Sequence, residues 1–224
     1  MLKYSKRFTR LTKEMSEESR KLIEALGMPA IKAPCEADSQ IAHCCKNGDV
    51  WAAASSDLDL LLHGCPRQIT NLTLSQSKKT STGVTLKIKP ELVELDLTLK
   101  DLDLNRDQLI SLGILIGTDY NQGIHGIGQK KALKIVKELK TPKKIFEKHK
   151  IEDVDWKEVM DTFKNMEVIK KYTWNWSQPD IEKVLKIMVD KHEFSESRVM
   201  SSINKMLGTK IKVKVDQKGL NSWM

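Results

Sequence analysis

No stretch of this sequence approaches the roughly 18 consecutive apolar residues that a membrane-spanning helix requires. Nor does an apolar run follow the basic start "MLKYSKRFTRLTKEM", so a secretory leader is not expected. Cysteine is sparse, with four in 224 residues, and Cys35, Cys44, Cys45 and Cys65 show no CxxC spacing. That argues against a disulfide framework or a zinc site and fits a reduced, intracellular compartment. No internal repeat is present, which excludes solenoids and propellers. What remains is a globular chain, 40% hydrophobic and 30% charged, long enough for one large domain or two small ones.

Charge is present in excess and unevenly spread. The formal net charge is +8. Residues 128–150 hold nine lysines against Glu138 and Glu147, and residues 205–218 hold five against Asp216. Residues 33–64 instead carry Glu36, Asp38, Asp49, Asp57 and Asp59 against Lys46 alone. An acidic centre flanked by basic segments suits metal chemistry on a polyanion; solvated lysine faces are the bland alternative.

Hydrophobic periodicity predicts an amphipathic helix over 12–26, stopped by Gly27. A short strand is expected at "MPAIKAP", a helix from "EADSQIAHCC" to Asn47-Gly48, and a second strand at "DVWAAAS". A short helix at 57–62 and a strand near "PRQITNL" follow, an alternation that marks a parallel α/β sheet. "STGVTLKIKP" reads as a hairpin strand with Val84, Leu86 and Ile88 on one face. Beyond Pro90 the pattern is helical: 91–101, 105–117, 129–139, 155–164 with an Asp155/Glu158 capping box, 179–190, and 195–207 capped by Ser195. The tail, 208–224, reads as extended.

Two acidic pairs fall at strand ends, where open α/β sheets bind ligands. Glu36 and Asp38 follow "AIKAPC", Asp57 and Asp59 follow "WAAASS", and Asp119 closes the apolar stretch "ISLGILIGT". Two like charges 4 Å apart repel by roughly 4 kcal/mol at an effective dielectric of 20, so such convergence calls for a cation. Mg²⁺ or Mn²⁺ prefers these hard oxygen donors, and two such ions can activate water and stabilise a leaving phosphodiester oxygen. The competing reading makes each pair an N-cap or first-turn acid on a helix dipole.

"GTDYNQGIHGIGQKKALKIV" is the second signal. Gly123, Gly126 and Gly128 permit a tight turn and close backbone approach, and the amides that open the next helix can hold a phosphate. Lys130, Lys131, Lys134 and Lys137 add positive charge there. A plain helix–helix connection is the alternative.

Joined together, "APCEADSQIAHCCKNGDVWAAASSDLDLLLHGCPRQITNLT" and "GTDYNQGIHGIGQKKAL" resemble the internal region of the flap endonuclease/XPG family of structure-specific nucleases, most closely its archaeal form. The resemblance runs from "KRFTRLTKEM" through "FSESRV" to the end. It implies an α/β fold: a PIN-like parallel sheet with flanking helices, then a helix–two-turn–helix region that grips duplex DNA. It implies that Glu36, Asp38, Asp57, Asp59 and Asp119 bind two Mg²⁺ or Mn²⁺ ions and are the catalytic acids. Asp38 departs from the family's usual glutamate, and Cys35 stands where serine is usual. Gly123, Gly126, Ile127, Gly128, Lys130, Lys131 and Lys134 are the implied DNA-binding residues, with a possible K⁺ ion at the turn. The resulting division is 1–116 for the nuclease core, 117–207 for the DNA-binding helices and 208–224 for the tail.

The family's N-terminal half, with two more metal-binding aspartates, catalytic basic residues and a helical arch, has no match here. Residues 1–13 resemble the segment after the arch. A naturally split enzyme with a separate N-terminal subunit is expected in preference to a fragment, inactive or weak alone and cytoplasmic if archaeal. The competing class is a non-catalytic DNA- and clamp-binding module. Finally, "QKGLNSWM" resembles the box by which replication and repair proteins dock on the sliding clamp, with Gln217, Leu220, Trp223 and Met224 as its contacts. A frayed tail with a stray tryptophan is the alternative.

Overall fold

The computed structural model describes residues 11–72, 77–80, 83–151 and 155–208. In chain order its elements are α1 (Lys13–Ala25), α2 (Ala37–Lys46), β1 (Ala53–Ala54), α3 (Asp59–Leu62), β2 (Arg67–Thr70), β3 (Ser77–Lys79), β4 (Thr85–Lys87) and β5 (Glu91–Glu94). Then come α4 (Leu95–Leu102), α5 (Arg106–Ile116), α6 (Gln129–Leu139), α7 (Pro142–Lys148), α8 (Trp156–Asn165), α9 (Ile181–Leu185), a π-helical turn (Lys186–Lys191) and α10 (Glu196–Leu207). The chain divides into two compact units: Lys32–Lys170, and Met1–Ile31 with Lys171–Met224.

The larger unit is organised around α5. Its sequence "RDQLISLGILI" starts sharply because Asn105 and Gln108 form a reciprocal capping box, with bonds of 2.9 and 2.8 Å. Ile110, Ile114 and Leu115 are fully buried. Ala132, Ile135 and Val136 of α6, Ile145 and Phe146 of α7, and Val159 and Phe163 of α8 close around them. Each such large side chain contributes about 1.5–3 kcal/mol on burial. Asp155 caps α8 through the Lys157 amide at 2.9 Å, a shorter reach than the expected box with Glu158.

The sheet beside this helical core is mixed, in the order β1-β2-β5. β1 and β2 run parallel, with Ala53 opposite Gln68 and Ala54 opposite Ile69. β5 runs antiparallel to β2, from Arg67 opposite Glu94 to Thr70 opposite Glu91. Sequence periodicity placed 91–101 in one helix; the structure makes 91–94 a strand, and α4 begins at Leu95. The backbone groups of β2 that face away from β1 need partners, and "ELVE" supplies them, a tertiary demand that overrides local preference. "MPAIKAP" is not a strand either. Pro29 and Pro34 cannot donate to a ladder, and the segment is the connector between the two units. β4 falls within the expected hairpin strand and pairs antiparallel with β3, a partner the sequence reading did not name; Val84 and Leu86 are exposed.

The smaller unit packs α1, α9, the π turn and α10 around Ala25, Val184, Val199, Met200 and Ile203. The chain after α1 turns at Gly27, whose φ is +80° and where a Cβ would stand 2.1 Å from the Ser177 carbonyl oxygen, so only glycine fits. The Ser177 amide donates to the Gly27 carbonyl at 2.9 Å. The helix expected over 179–190 is α-helical only to Leu185 and continues as the π turn. Ser195 occupies the N-cap of α10, but its hydroxyl meets that of Ser197 instead of capping the helix.

Candidate metal centre and nucleic-acid interface

The five acids come from three short devices. Glu36 is the N-cap of α2 and Asp38 lies in its first turn, yet Glu36 makes no side-chain cap bond. Its carboxylate instead accepts a 2.7 Å hydrogen bond from the Tyr120 hydroxyl. Asp57 accepts from the Asp59 amide at 3.0 Å, a local turn that opens α3, and its own amide donates to the Ser55 hydroxyl at 3.1 Å. Asp119 sits at the tip of a turn closed by Thr118 and Asn121. Asn121, buried, anchors that turn by donating to the Ile114 carbonyl at 2.8 Å.

Polar groups beneath the acids fix these devices. Gln68 of β2 is fully buried, and its amide nitrogen donates to the carbonyls of Ser55 and Asp57. α3 has only four residues, too short to hold itself. Its last carbonyls are met by cations: Arg106 donates to Leu62 at 3.0 Å, and Lys46 donates to His63 at 2.6 Å. Arg106 also donates to the Phe163 carbonyl at 3.0 Å. The Phe163 ring then meets His63 at 5.0 Å and Tyr120 at 5.1 Å between centroids. The core thus positions Tyr120, and Tyr120 positions Glu36.

The electrostatics show convergence. Asp59 is pushed up to about 6, first by burial and then by Asp57, Asp119, Asp38 and Glu36. Asp38 is raised by burial, then by Asp57, Glu36 and Asp119. Burial and the Glu36 bond hold Tyr120 well above the usual phenol range, so it remains a donor. The charges of Glu36, Asp57 and Asp119 therefore fall on both Asp38 and Asp59. Even so, among the described residues no three of these acids close into ready-made metal-ligand geometry. Sequence reasoning missed Tyr120, Gln68 and Arg106. A tyrosine directly after Asp119 was the available signal; Gln68, in the polar strand "RQIT", offered none. We expect Tyr120→Phe to cost roughly 0.5–1.5 kcal/mol in urea unfolding, because the hydrogen bond to Glu36 is lost. An unchanged midpoint would deny Tyr120 its positioning role.

The glycine turn lies between α5 and α6. Gly123 has a φ of +73°, and a Cβ there would stand 2.2 Å from the Ile116 carbonyl oxygen. Gly126 is also left-handed, with open space around it, and Ile127 is buried, pinning the turn to the core. Gly128 is the N-cap of α6 and supplies no side chain to its first amides. Lys130, Lys134 and Lys137, with Leu133 and Glu138, line an open groove of about 580 Å³. Lys131 reaches back to the Gly126 carbonyl at 3.4 Å. Gln217, Leu220, Trp223 and Met224 lie outside the described residues.

Residues 27–119 match the family model of the XPG I-region, a span that contains all five acids and stops before the glycine turn. The chain is 43% identical over 206 residues to flap endonuclease 1 of Pyrococcus horikoshii, covering 91% of this chain and 60% of that protein. Over most of its own length, then, the chain is similar to the flap endonucleases, and it carries the XPG I-region. Its fold agrees: flap endonuclease-1 from Methanococcus jannaschii superposes with a TM-score of 0.78 at 36% identity, covering 92% of this chain and 61% of that one. The catalytic core of Rad2 in complex with DNA substrate shares the fold, with a TM-score of 0.70 at 22% identity, over 92% of this chain and 71% of that one. The PIN-like α/β core with a helical region is therefore the fold this chain shares with flap endonuclease-1. The chain spans about 60–65% of the length of the flap endonucleases it matches. Among the described residues no helix is long and apolar enough to cross a membrane.

Proposed function

We propose that this chain is the metal-binding part of a structure-specific 5′ flap endonuclease, acting inside the cell in DNA replication and repair. The observation that carries this reading is the gathering of Glu36, Asp38, Asp57 and Asp119 close enough to Asp59 to raise its carboxyl, with Glu36 turned from helix capping to Tyr120. The donor set, all oxygen with no thiolate or imidazole, fits Mg²⁺ or Mn²⁺, which keep several waters and so do not demand a closed protein cage. Glu36, Asp38, Asp57, Asp59 and Asp119 would hold two such ions. When bound, they would supply a nucleophilic water and neutralise charge on the leaving oxygen. The chain's own residues do the positioning: Gln68 and Arg106 fix the Asp57 and Asp59 turn, and Tyr120 fixes Glu36.

Function then divides near residue 117 within the larger unit: the acids belong to the nuclease centre, and the turn and α6 that follow grip duplex DNA without reading sequence. The first amides of α6 and Lys130, Lys131 and Lys134 face phosphate, while Gly123, Gly126, Ile127 and Gly128 shape the turn. A K⁺ ion at the turn would have to displace the Lys131 ammonium from the Gly126 carbonyl. Residues 208–224 carry the clamp-docking box at Gln217, Leu220, Trp223 and Met224. Among the described residues β1 lies at the edge of the three-stranded sheet, with Ala54 exposed beside exposed Trp51 and Leu58. An edge of this kind suits addition of the family's N-terminal half, which supplies the remaining metal ligands.

The test is reconstitution. The purified chain with Mg²⁺ is expected to leave 5′-flap DNA uncut. Adding the N-terminal half of an archaeal flap endonuclease is expected to restore cleavage that depends on Glu36, Asp57 and Asp59. Vigorous cleavage by the chain alone, unaffected by Asp57→Ala, would sink the reading. A failure of every N-terminal half tried would favour a DNA- and clamp-binding module. Under both readings DNA affinity falls with salt, and Lys130→Ala and Lys131→Ala are each expected to flatten the log–log salt slope by about one. Slopes unchanged in both variants would remove α6 from the DNA surface.

A further inference from the structure

The smaller unit leaves part of its apolar interior open. A groove of about 470 Å³ runs between α1, the π turn and α10, lined by Leu22, Leu26, Met188, Phe194, Ile203 and Met206 among others. Phe194 and Met206 are 52% and 48% exposed, unusual for large apolar side chains at the mouth of a core. Arg198 is the charged residue in its wall. α10 ends at Gly208, whose left-handed conformation, φ +64°, turns the chain off the helix axis beside Met206.

The residues that follow read "TKIKVKVDQ". Ile211, Val213 and Val215 alternate with Lys210, Lys212 and Lys214, and Asp216 comes next. Taken as an extended segment, this alternation puts three β-branched side chains on one face and three lysines on the other. Such a face needs an apolar surface, and the groove begins where the segment leaves α10. Reach and charge also agree. The twelve residues of α10 span about 18 Å, and eight extended residues from Thr209 span about 26 Å. The segment is long enough to run back along α10 and bring Asp216 to Arg198.

We propose that Ile211, Val213 and Val215 dock into this groove in cis, with Asp216 paired to Arg198. The docked segment covers the open side of the smaller unit and roots the chain immediately before Gln217, so whatever Gln217 to Met224 engage is held close to this unit. This goes beyond the nuclease reading and does not depend on it.

Amide hydrogen exchange on the full chain, at two protein concentrations, tests it. Residues 210–216 are expected to exchange at least about tenfold more slowly than an unstructured peptide, equally at both concentrations. Val213→Lys, which alters no residue of α10, and Met206→Glu are each expected to abolish that protection. Arg198→Glu and Asp216→Lys are each expected to weaken it, and the two together to restore it. Exchange at the unstructured rate in the unaltered chain would overturn the proposal. So would protection that disappears on dilution, which would make the occupant a second copy, or protection that survives Val213→Lys.

Discussion

Replacing Phe163 by alanine is expected to destabilise the larger unit by about 3–5 kcal/mol, the range for deleting a fully buried aromatic ring. Phe163 is 1% exposed in the α8 wall of the core. Its ring is in contact with both His63 and Tyr120, and its carbonyl accepts from Arg106. Because folded domains hold only about 5–15 kcal/mol in total, the loss would bring the unit near its unfolding edge. The effect should reach the acids, since Tyr120 rests on this ring and Glu36 rests on Tyr120. Phe146→Ala is the control. Phe146 is 4% exposed and stacks on Trp156 at 4.9 Å, on a different edge of the core. Both variants should lower the urea midpoint, but only Phe163→Ala should also weaken Mg²⁺-dependent stabilisation. A loss below about 1 kcal/mol for Phe163→Ala would mean that the site collapses around the gap, and the supporting role assigned to this ring would fall.

The elements that the sequence reading recovered are those with a strong local signal. α5, α6 and α10 repeat apolar residues at helical spacing over ten or more positions, and their ends carry Asn105, Gly128 and Gly208. The family motifs located the acids because such motifs are contiguous in sequence. The failures share a cause: each depended on a partner remote in sequence. β5 is a strand because β2, over twenty residues earlier, needs hydrogen bonds. "MPAIKAP" has an apolar composition but joins two units instead of entering a sheet. Tyr120 bonds Glu36 across 84 residues, and Arg106 clamps α3 across 44. Periodicity within a window carries no trace of such pairs. The local alternative for the acids holds by position, with Glu36 at an N-cap and Asp38 and Asp59 in first turns, but neither helix is capped by a side chain: the Glu36 carboxylate is committed to Tyr120, and Asp57 accepts the Asp59 amide in a two-residue turn ahead of α3.

Asp59→Asn is expected to make the metal-free chain more stable at neutral pH. Burial and four neighbouring carboxylates raise Asp59 to about 6, against about 3.9 for an unfolded aspartate. A raised carboxyl favours the folded state fully below the unfolded value and loses that favour as pH climbs through the folded one. Between about pH 4 and pH 6, therefore, the native chain should lose stability relative to Asp59→Asn, and above pH 6 the gap should stay constant. The full shift corresponds to about 3 kcal/mol, but Asp59 is half exposed and solvent screening reduces this to about 1 kcal/mol. Unfolding of both proteins in urea with a chelator, at pH 4 and pH 7.5, measures the difference directly. Adding Mg²⁺ at pH 7.5 should then reverse the order, because the cation offsets the repulsion only while the carboxylate is present to hold it. If Asp59→Asn is no more stable than the native chain at pH 7.5 without metal, the five acids do not share one field. If Mg²⁺ stabilises both proteins equally, Asp59 is not among its ligands.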